Sequence, residues 1–278
     1  MEAFAMQNIN SPEQLKEQYG SSANLESRIT AKRLFSTTKL GWADFLLQNF
    51  QLQPNQRVLE LGCGSAVFWK HVAPKMPKGV RLTLSDASPG MIDTAKSNTN
   101  KLKFIEEYAV IDAQNIPYDE NTFDIVIANY MLYHVPNVEQ ALREISRVLK
   151  PKGSFFAATY GKDNLKEVKD IFGGFDARIQ PALNDLCDVF GLENGSAYLA
   201  KYFDCVQCKR YENSLHITEL KPLVDYFLSY RGMGNISEMI PEGDIPRFAD
   251  YIAEVFAKNG YVGITQDEGL FVASGCEC

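Results

Sequence analysis

Val58-Leu59-Glu60-Leu61-Gly62-Cys63-Gly64-Ser65-Ala66 is the stretch whose reading decides the fold of this chain. It places two glycines one residue apart where an apolar strand turns into a helix. Glycine has no Cβ, so the backbone there can pass close to a ligand, at the open carboxyl ends of the strands where doubly wound sheets bind cofactors. Taken alone, Gly-x-Gly reads equally well as a tight turn.

Downstream, short apolar runs alternate with helical stretches: Val80-Arg81-Leu82-Thr83-Leu84, Lys103-Phe104-Ile105, Phe123-Asp124-Ile125-Val126-Ile127-Ala128 and Ser154-Phe155-Phe156-Ala157-Ala158. That rhythm predicts a mainly parallel sheet with crossover helices. Ser88 before Pro89 reads as an N-cap, because the orphan amides of a first turn need an acceptor and proline has no amide to lose. Asn137 is expected to cap a helix that carries Val138, Ala141, Leu142, Ile145, Val148 and Leu149 on one face. Lys150-Pro151-Lys152-Gly153 is expected to end it. Asp86 closes the second strand 22 residues beyond Gly64, where a carboxylate can accept both hydroxyls of a ribose. Val67 occupies the place of the third glycine in a dinucleotide fingerprint, which points to a nucleoside ligand without a pyrophosphate.

Ahead of Val58, about three helical pieces are expected; Ser11 with Gln14 resembles a capping box, and Trp42, Phe45, Leu46 and Phe50 form an apolar stripe read as a packing face. Beyond Thr159 the rhythm changes. Helices are expected near 181–190, 197–203 and 218–230, followed by a strand over 261–265, a turn at Asp267-Glu268-Gly269 and a strand over 270–273. No internal repeat and no Gly/Ser linker divides the 278 residues. The expectation is therefore one domain over 1–278: N-terminal helices over 1–56, a cofactor core over 57–159, a helical lid and acceptor region over 160–259, and terminal strands over 260–278.

Composition excludes whole classes. With 45% hydrophobic and 23% charged residues the chain sits at globular averages. Its 28 basic and 35 acidic residues leave a net charge of -7, which repels polyanions and argues against a nucleic-acid partner. The N-terminus lacks the basic start and apolar stretch of a secretory signal. No apolar run approaches the ~20 residues of a membrane span. A cytoplasmic protein is expected, with its six cysteines as free thiols and no metal. Cys205-x-x-Cys208 with Cys276-x-Cys278 supplies four thiols, but residues three apart on a strand point to opposite faces, and no histidine follows at zinc-finger spacing.

Together these stations resemble the class I S-adenosylmethionine-dependent methyltransferases, in the small-molecule, type 11 kind. The resemblance runs over about 57–159. It implies a Rossmann-like α/β fold: a doubly wound, mainly parallel sheet with an antiparallel C-terminal strand, N-terminal helices and a helical lid. The implied cofactor is S-adenosyl-L-methionine, with S-adenosyl-L-homocysteine as product. Glu60, Gly62 and Gly64 match the motif beside the methionine part, while Asp86, followed by Ala87, matches the ribose acid. Met91 matches the apolar residue over the adenine, Asp112-Ala113 the pair beside its amino group, and Asn129 the strand end near the transferable methyl. Gln18-Tyr19-Gly20 and Arg28 resemble cofactor-covering residues of the helices that precede the core in this family, which adds Tyr19 and Arg28 as cofactor contacts.

Methyl transfer from a sulfonium is an in-line displacement that asks mainly for alignment and exclusion of water. His134, after the fourth strand, is the candidate base, set against the plainer reading of a neutral structural histidine. Asn129-Tyr130-Met131-Leu132 departs from the Asn-Pro-Pro-Tyr pattern used on DNA bases or protein glutamine, so a small-molecule acceptor is expected. A nicotinamide-dependent oxidoreductase and a non-catalytic cofactor-binding protein are the rival readings; oligomeric state is not legible.

Overall fold

A strand with neighbours on both sides and helices on both faces has no side left for water, so it reads as a continuous apolar run. Val58, Leu59 and Glu60 of β1 (Arg57–Glu60) are all buried for this reason. In the computed structural model, which describes residues 22–181, 183 and 185–275, β1 pairs in parallel with β2 (Arg81–Asp86) on one side and with β4 (Phe123–Asn129) on the other. The remaining strands are β3 (Ile105–Val110), β5 (Leu149–Tyr160), β6 (Cys205–Ile217) and β7 (Val262–Ser274). The seven-stranded order is β3-β2-β1-β4-β5-β7-β6. β4 and β5 run parallel, and β7 is antiparallel to β5, as the sequence suggests.

The strand order reverses direction at β1, and that reversal positions the site. The first crossovers build outward through β2 and β3, and the chain then returns to β1's other edge with β4, leaving a crevice at the carboxyl ends. Glu60 lies opposite Leu84 and opposite Ile127. Asp86 and Asn129, each two residues further on, therefore flank the end of β1 from either side.

The helices obey the local signals. Ser88 caps α4 (Pro89–Thr99) by accepting from the Met91 amide at 3.4 Å, and Asn137 caps α5 (Val138–Val148) by accepting from the Gln140 amide at 3.0 Å. The buried face of α5 is Val138, Ala141, Leu142, Ile145 and Val148, the stripe read from its spacing. Leu149 already belongs to β5, and Lys150-Pro151-Lys152-Gly153 continues that strand instead of forming a separate turn. Three further helices enter the argument below: α1 (Ser22–Phe35), which carries Arg28, α2 (Trp42–Phe50) and α3 (Val67–Val72).

The chain forms two units. One comprises Leu40–Asn164, Asn184–Glu212 and the C-terminal part from Asp267; it holds the cofactor-core strands. Its largest apolar cluster gathers Leu59, Val126, Phe155, Leu142 and Ile145. The other comprises the N-terminal part up to Lys39, Leu165–Leu183 and Asn213–Gln266. There Phe172 and Phe248 stack with centroids 5.4 Å apart, beside Phe227, Leu223 and Ile252. The 160–259 region is thus divided between the units, and only some of it is helical. The expected helix near 181–190 is reduced to a 3-10 turn at Asp185–Asp188, and the other two are Gly195–Leu199 and Leu220–Leu228.

The expected strand-turn-strand at the C-terminus is one strand of 13 residues. Asp267, Glu268 and Gly269 pair with Gly161, Tyr160 and Thr159 in the ladder. Gly269 fits a close approach, since a Cβ there would stand 2.8 Å from a Leu192 methyl and 3.2 Å from the Lys209 carbonyl oxygen, and a neighbour would have to shift. The capping box at Ser11 and Gln14 lies outside the described residues. Removing a buried methyl-rich side chain leaves a void the close-packed neighbours fill only in part: Leu142→Ala should lower unfolding free energy by about 2–5 kcal/mol, read as a shifted urea midpoint with unchanged slope.

Candidate cofactor and acceptor site

Glu60 ends β1 with 4% of its surface exposed. The Trp69 indole on α3 donates to one carboxylate oxygen at 2.5 Å, and the Asn129 amide donates to the other at 3.3 Å. The Ser85 hydroxyl donates to the Glu60 carbonyl at 2.7 Å. Burial outweighs these donors and pushes the Glu60 pKa from an ordinary 4.5 to about 7, with the Asp86 charge adding to the rise. A desolvated carboxylate of this kind is half-charged near neutral pH, and a cation brought beside it would restore the full charge.

The glycine turn that follows has three consecutive left-handed turning points: Gly62 at φ +66, Gly64 at φ +53 and Ala66 at φ +54. The glycines serve different needs. A Cβ on Gly62 would stand 2.7 Å from the Met131 Cβ, whereas one on Gly64 would meet nothing within 4 Å. Gly62 therefore makes room for the chain beyond β4, and Gly64 is a glycine for its backbone angle alone.

Asp86 is held by the backbone on both oxygens. The Gly64 amide donates to Oδ2 at 2.9 Å and the Ser88 amide donates to Oδ1 at 2.9 Å. Each carboxylate oxygen has a second lone pair, so a carboxylate gripped in this way can still accept from two adjacent hydroxyls. Ala87 is exposed beside it, and Met91, on the first turn of α4, is 36% exposed. The Ile111 amide donates to the Asp86 carbonyl at 3.1 Å, which brings the end of β3 alongside. Asp112 is exposed there and is oriented by the Gln114 amide at 2.9 Å, while Ala113 is buried.

Asn129 contributes an orphan. Its Nδ2 is spent on Glu60, but its Oδ1 is buried with no hydrogen-bond partner. Such an acceptor is out of balance until a donor arrives. Glu60, Gly62, Gly64, Asp86, Ala87, Met91, Asp112, Ala113 and Asn129 are therefore gathered at one end of the sheet by β1, β2, β4 and the residues after β3. Arg28 belongs to the other unit, where its guanidinium lies 5.4 Å from the Tyr230 ring centre. Tyr19 lies outside the described residues.

His134 ends a 3-10 turn, exposed, with its ring edge-on to Tyr133 at 4.6 Å. Partial burial lowers its pKa from 6.5, so the imidazole is neutral at pH 7 and able to take a proton. Burial pushes the Cys63 thiol far up, which leaves it an inert filler of the turn. Cys205 is disulfide-bonded, against the expectation of free thiols throughout, whereas Cys63, Cys187 and Cys208 form no disulfide. Cys276 and Cys278 lie outside the described residues. Among those residues no group of three or more His, Cys, Asp or Glu is placed to hold a metal ion, and no helix is long and apolar enough to cross a membrane.

Sequence reasoning missed three contributors. Trp69 and Ser85 were not singled out from the sequence, though an indole one helical turn past a Gly-x-Gly is a detectable donor for the preceding glutamate. Trp42, read as packing, lies 5.6 Å from the Tyr130 ring, next to Asn129.

Residues 59–157 match the Methyltransf_11 family, described as a methyltransferase domain. The ubiquinone/menaquinone biosynthesis C-methyltransferase UbiE of Rickettsia akari is 28% identical over 152 residues, 53% of this chain and 60% of the relative. Its counterpart in Coxiella burnetii is 24% identical over 52% of this chain and 59% of the relative. The chain thus spans about three fifths of the length of these curated relatives. Among solved structures, the YcgJ protein of Bacillus subtilis superposes with a TM-score of 0.54 at 17% identity, over 85% of this chain and 98% of that one. The phosphoethanolamine N-methyltransferase 2 of Haemonchus contortus, in complex with phosphomonomethylethanolamine and S-adenosylhomocysteine, gives 0.54 at 16%, over 98% and 62%. The [4+2]-cyclase SpnF gives 0.51 at 17%, over 84% and 80%. The sheet order, the glycine turn and the matched segment agree in likening residues 59–157 to a methyltransferase domain.

The raised Glu60 pKa links the site to stability. Between pH 4.5 and 7 the unfolded glutamate is ionised while the folded one keeps its proton, so the folded state binds more protons and unfolding free energy falls as pH rises. Over that interval this group should remove about 3 kcal/mol, with no further change above it. Denaturant titrations from pH 4.5 to 8 should show the decline in the wild type and its absence in Glu60→Gln.

Proposed function

We propose that this protein transfers the methyl group of S-adenosyl-L-methionine to a small-molecule acceptor, releasing S-adenosyl-L-homocysteine. The observation that carries the reading is the doubly gripped Asp86 beside the Gly62–Gly64 turn: two backbone amides aim a carboxylate at the place where paired ribose hydroxyls fit. The orphan Asn129 Oδ1 and the desolvated Glu60 carboxylate fit the cationic methionine end. Met91 is available to one face of the adenine and Asp112 to its exocyclic amine; Ala87 and Ala113 are small enough to line the same path. Tyr19 and Arg28 are proposed as covering contacts on the family resemblance alone.

When bound, the sulfonium supplies an electrophilic methyl group and a thioether leaving group that needs no proton. The protein therefore has to hold the acceptor in line and keep water away. Asn129 and Glu60 orient the methionine end from β4 and β1. His134, neutral at working pH, is the candidate to remove a proton from the acceptor. The negative net charge and the absence of an Asn-Pro-Pro-Tyr sequence after β4 favour a small acceptor over a polymer.

Fold alone does not secure the chemistry, since the [4+2]-cyclase SpnF shares it. Calorimetry distinguishes the readings: S-adenosylmethionine and S-adenosylhomocysteine should bind, and NAD should not. Each hydrogen bond to a charged group contributes about 1.5–3 kcal/mol, so Asp86→Ala should weaken S-adenosylhomocysteine binding by at least about tenfold. Tight NAD binding, or unchanged affinity in the variant, would sink the assignment. With any acceptor found by labelled-methyl screening, His134→Ala should slow turnover by about 100-fold or more, and an unchanged rate would remove histidine from the mechanism.

A further inference from the structure

The cofactor reading uses Glu60, Asp86 and Asn129, yet a second buried carboxylate stands at the same end of the sheet. Glu268 on β7 is 3% exposed and pairs in register with Tyr160, the last residue of β5. Its side chain is hydrogen-bonded to that of Tyr130. Tyr130 directly follows Asn129 and adopts a left-handed φ of +54, a conformation that an ordinary side chain occupies only when its surroundings impose it. Its amide donates to the Ala158 carbonyl at 2.9 Å. The Tyr130 ring stacks on Tyr160 at 4.5 Å, Trp42 lies 5.6 Å away from it, and Tyr133 lies 6.2 Å from Tyr160. Tyr211 meets Trp42 edge-on at 5.1 Å.

Carboxylate and rings all lie in the unit that holds the cofactor core, and they come from α2, β5, β6, β7 and the turn after β4. Burial and the neighbouring Glu268 charge push the Tyr130 phenol well up, so it remains a neutral donor to the carboxylate at any physiological pH. A negative group backed by aromatic rings has a defined preference. Ring faces attract cations electrostatically, and a desolvated carboxylate does so more strongly. A neutral acceptor gains little from the charge, and an anionic one meets Glu60, Asp86 and Glu268 together.

We propose that Glu268 with the rings of Tyr130 and Tyr160 forms the acceptor subsite, and that it takes a molecule carrying a cationic amino group. This rests on the methyl-transfer reading, because it is Asn129, next to Tyr130, that locates the acceptor here. Glu268 acts in recognition, with no bond made or broken at it, and the amino group it holds is a handle that need not be the methylated atom.

The test uses the full chain, labelled S-adenosylmethionine and amines paired with neutral isosteres: tyramine with 4-propylphenol, tryptamine with 3-propylindole, N,N-dimethylethanolamine with 3-methylbutan-1-ol. At least one amine should be turned over with kcat/KM about tenfold or more above its isostere, and Glu268→Gln should raise KM for that amine about tenfold while kcat and S-adenosylhomocysteine affinity stay near wild type. The proposal is overturned if the isosteres are preferred, if Glu268→Gln leaves the amine KM unchanged, or if S-adenosylhomocysteine binds and no amine is methylated. Failure of the wild-type chain to bind S-adenosylhomocysteine would instead overturn the methyltransferase reading, and this subsite with it. Should Glu268→Gln lose its cooperative melt, Tyr160→Leu keeps the carboxylate, removes a ring face and should raise the same KM.

Discussion

A carboxylate at the buried end of a central strand is the constraint on which the rest of this site depends. Glu60 cannot be solvated by water where it stands, so every neighbour must supply either a donor or room for one. Trp69 fixes the start of α3 against β1, Asn129 fixes the end of β4, and Ser85 ties β2 to the same residue. Three elements that reach the crevice from different directions are registered on one side chain. The glycine turn is the covalent counterpart of that arrangement, because it carries the chain from Glu60 to α3 within a few residues and leaves space for Met131 beneath it.

The electrostatic character of the crevice follows from the same geometry. Parallel strands end together, so acidic residues that close successive strands accumulate at one edge of the sheet. Glu60, Asp86 and Asp112 come from β1, β2 and the residues after β3, and Glu268 approaches from the antiparallel β7. Backbone amides hold Asp86 and Asp112, and an indole and an amide hold Glu60. Preorganised acceptors of this kind suit hydroxyls, amines and a cationic sulfur, and they discriminate against phosphate-bearing ligands without a single base being displayed. The net charge of -7 acts in the same direction at longer range.

The fold was legible wherever a local rule acts without competition. Ser88 and Asn137 cap the helices they were expected to cap, since an orphan amide finds its nearest acceptor whatever lies further away. Five of the six residues expected on the α5 stripe face inward from it, because helical periodicity is a property of the backbone. Legibility ended where long-range pairing overrode a turn signal. Asp267-Glu268-Gly269 has turn composition, yet in the ladder Gly269 lies close against Leu192 and Glu268 pairs opposite Tyr160. The same limit hid Tyr130: nothing local announces a left-handed tyrosine, which the contacts of β5 and α2 impose.

By itself the sequence determined the strand-turn-helix at Val58–Ala66, the order of the acidic strand ends, the N-caps of α4 and α5 and the class of cofactor, because each rests on short local patterns. Only the tertiary structure decided that Trp69 satisfies Glu60, that Asn129 keeps an unspent oxygen, and that Glu268 meets Tyr130 across 138 positions of chain. Those are matters of which desolvated group finds which partner, and burial creates that demand only once the sheet has closed around it.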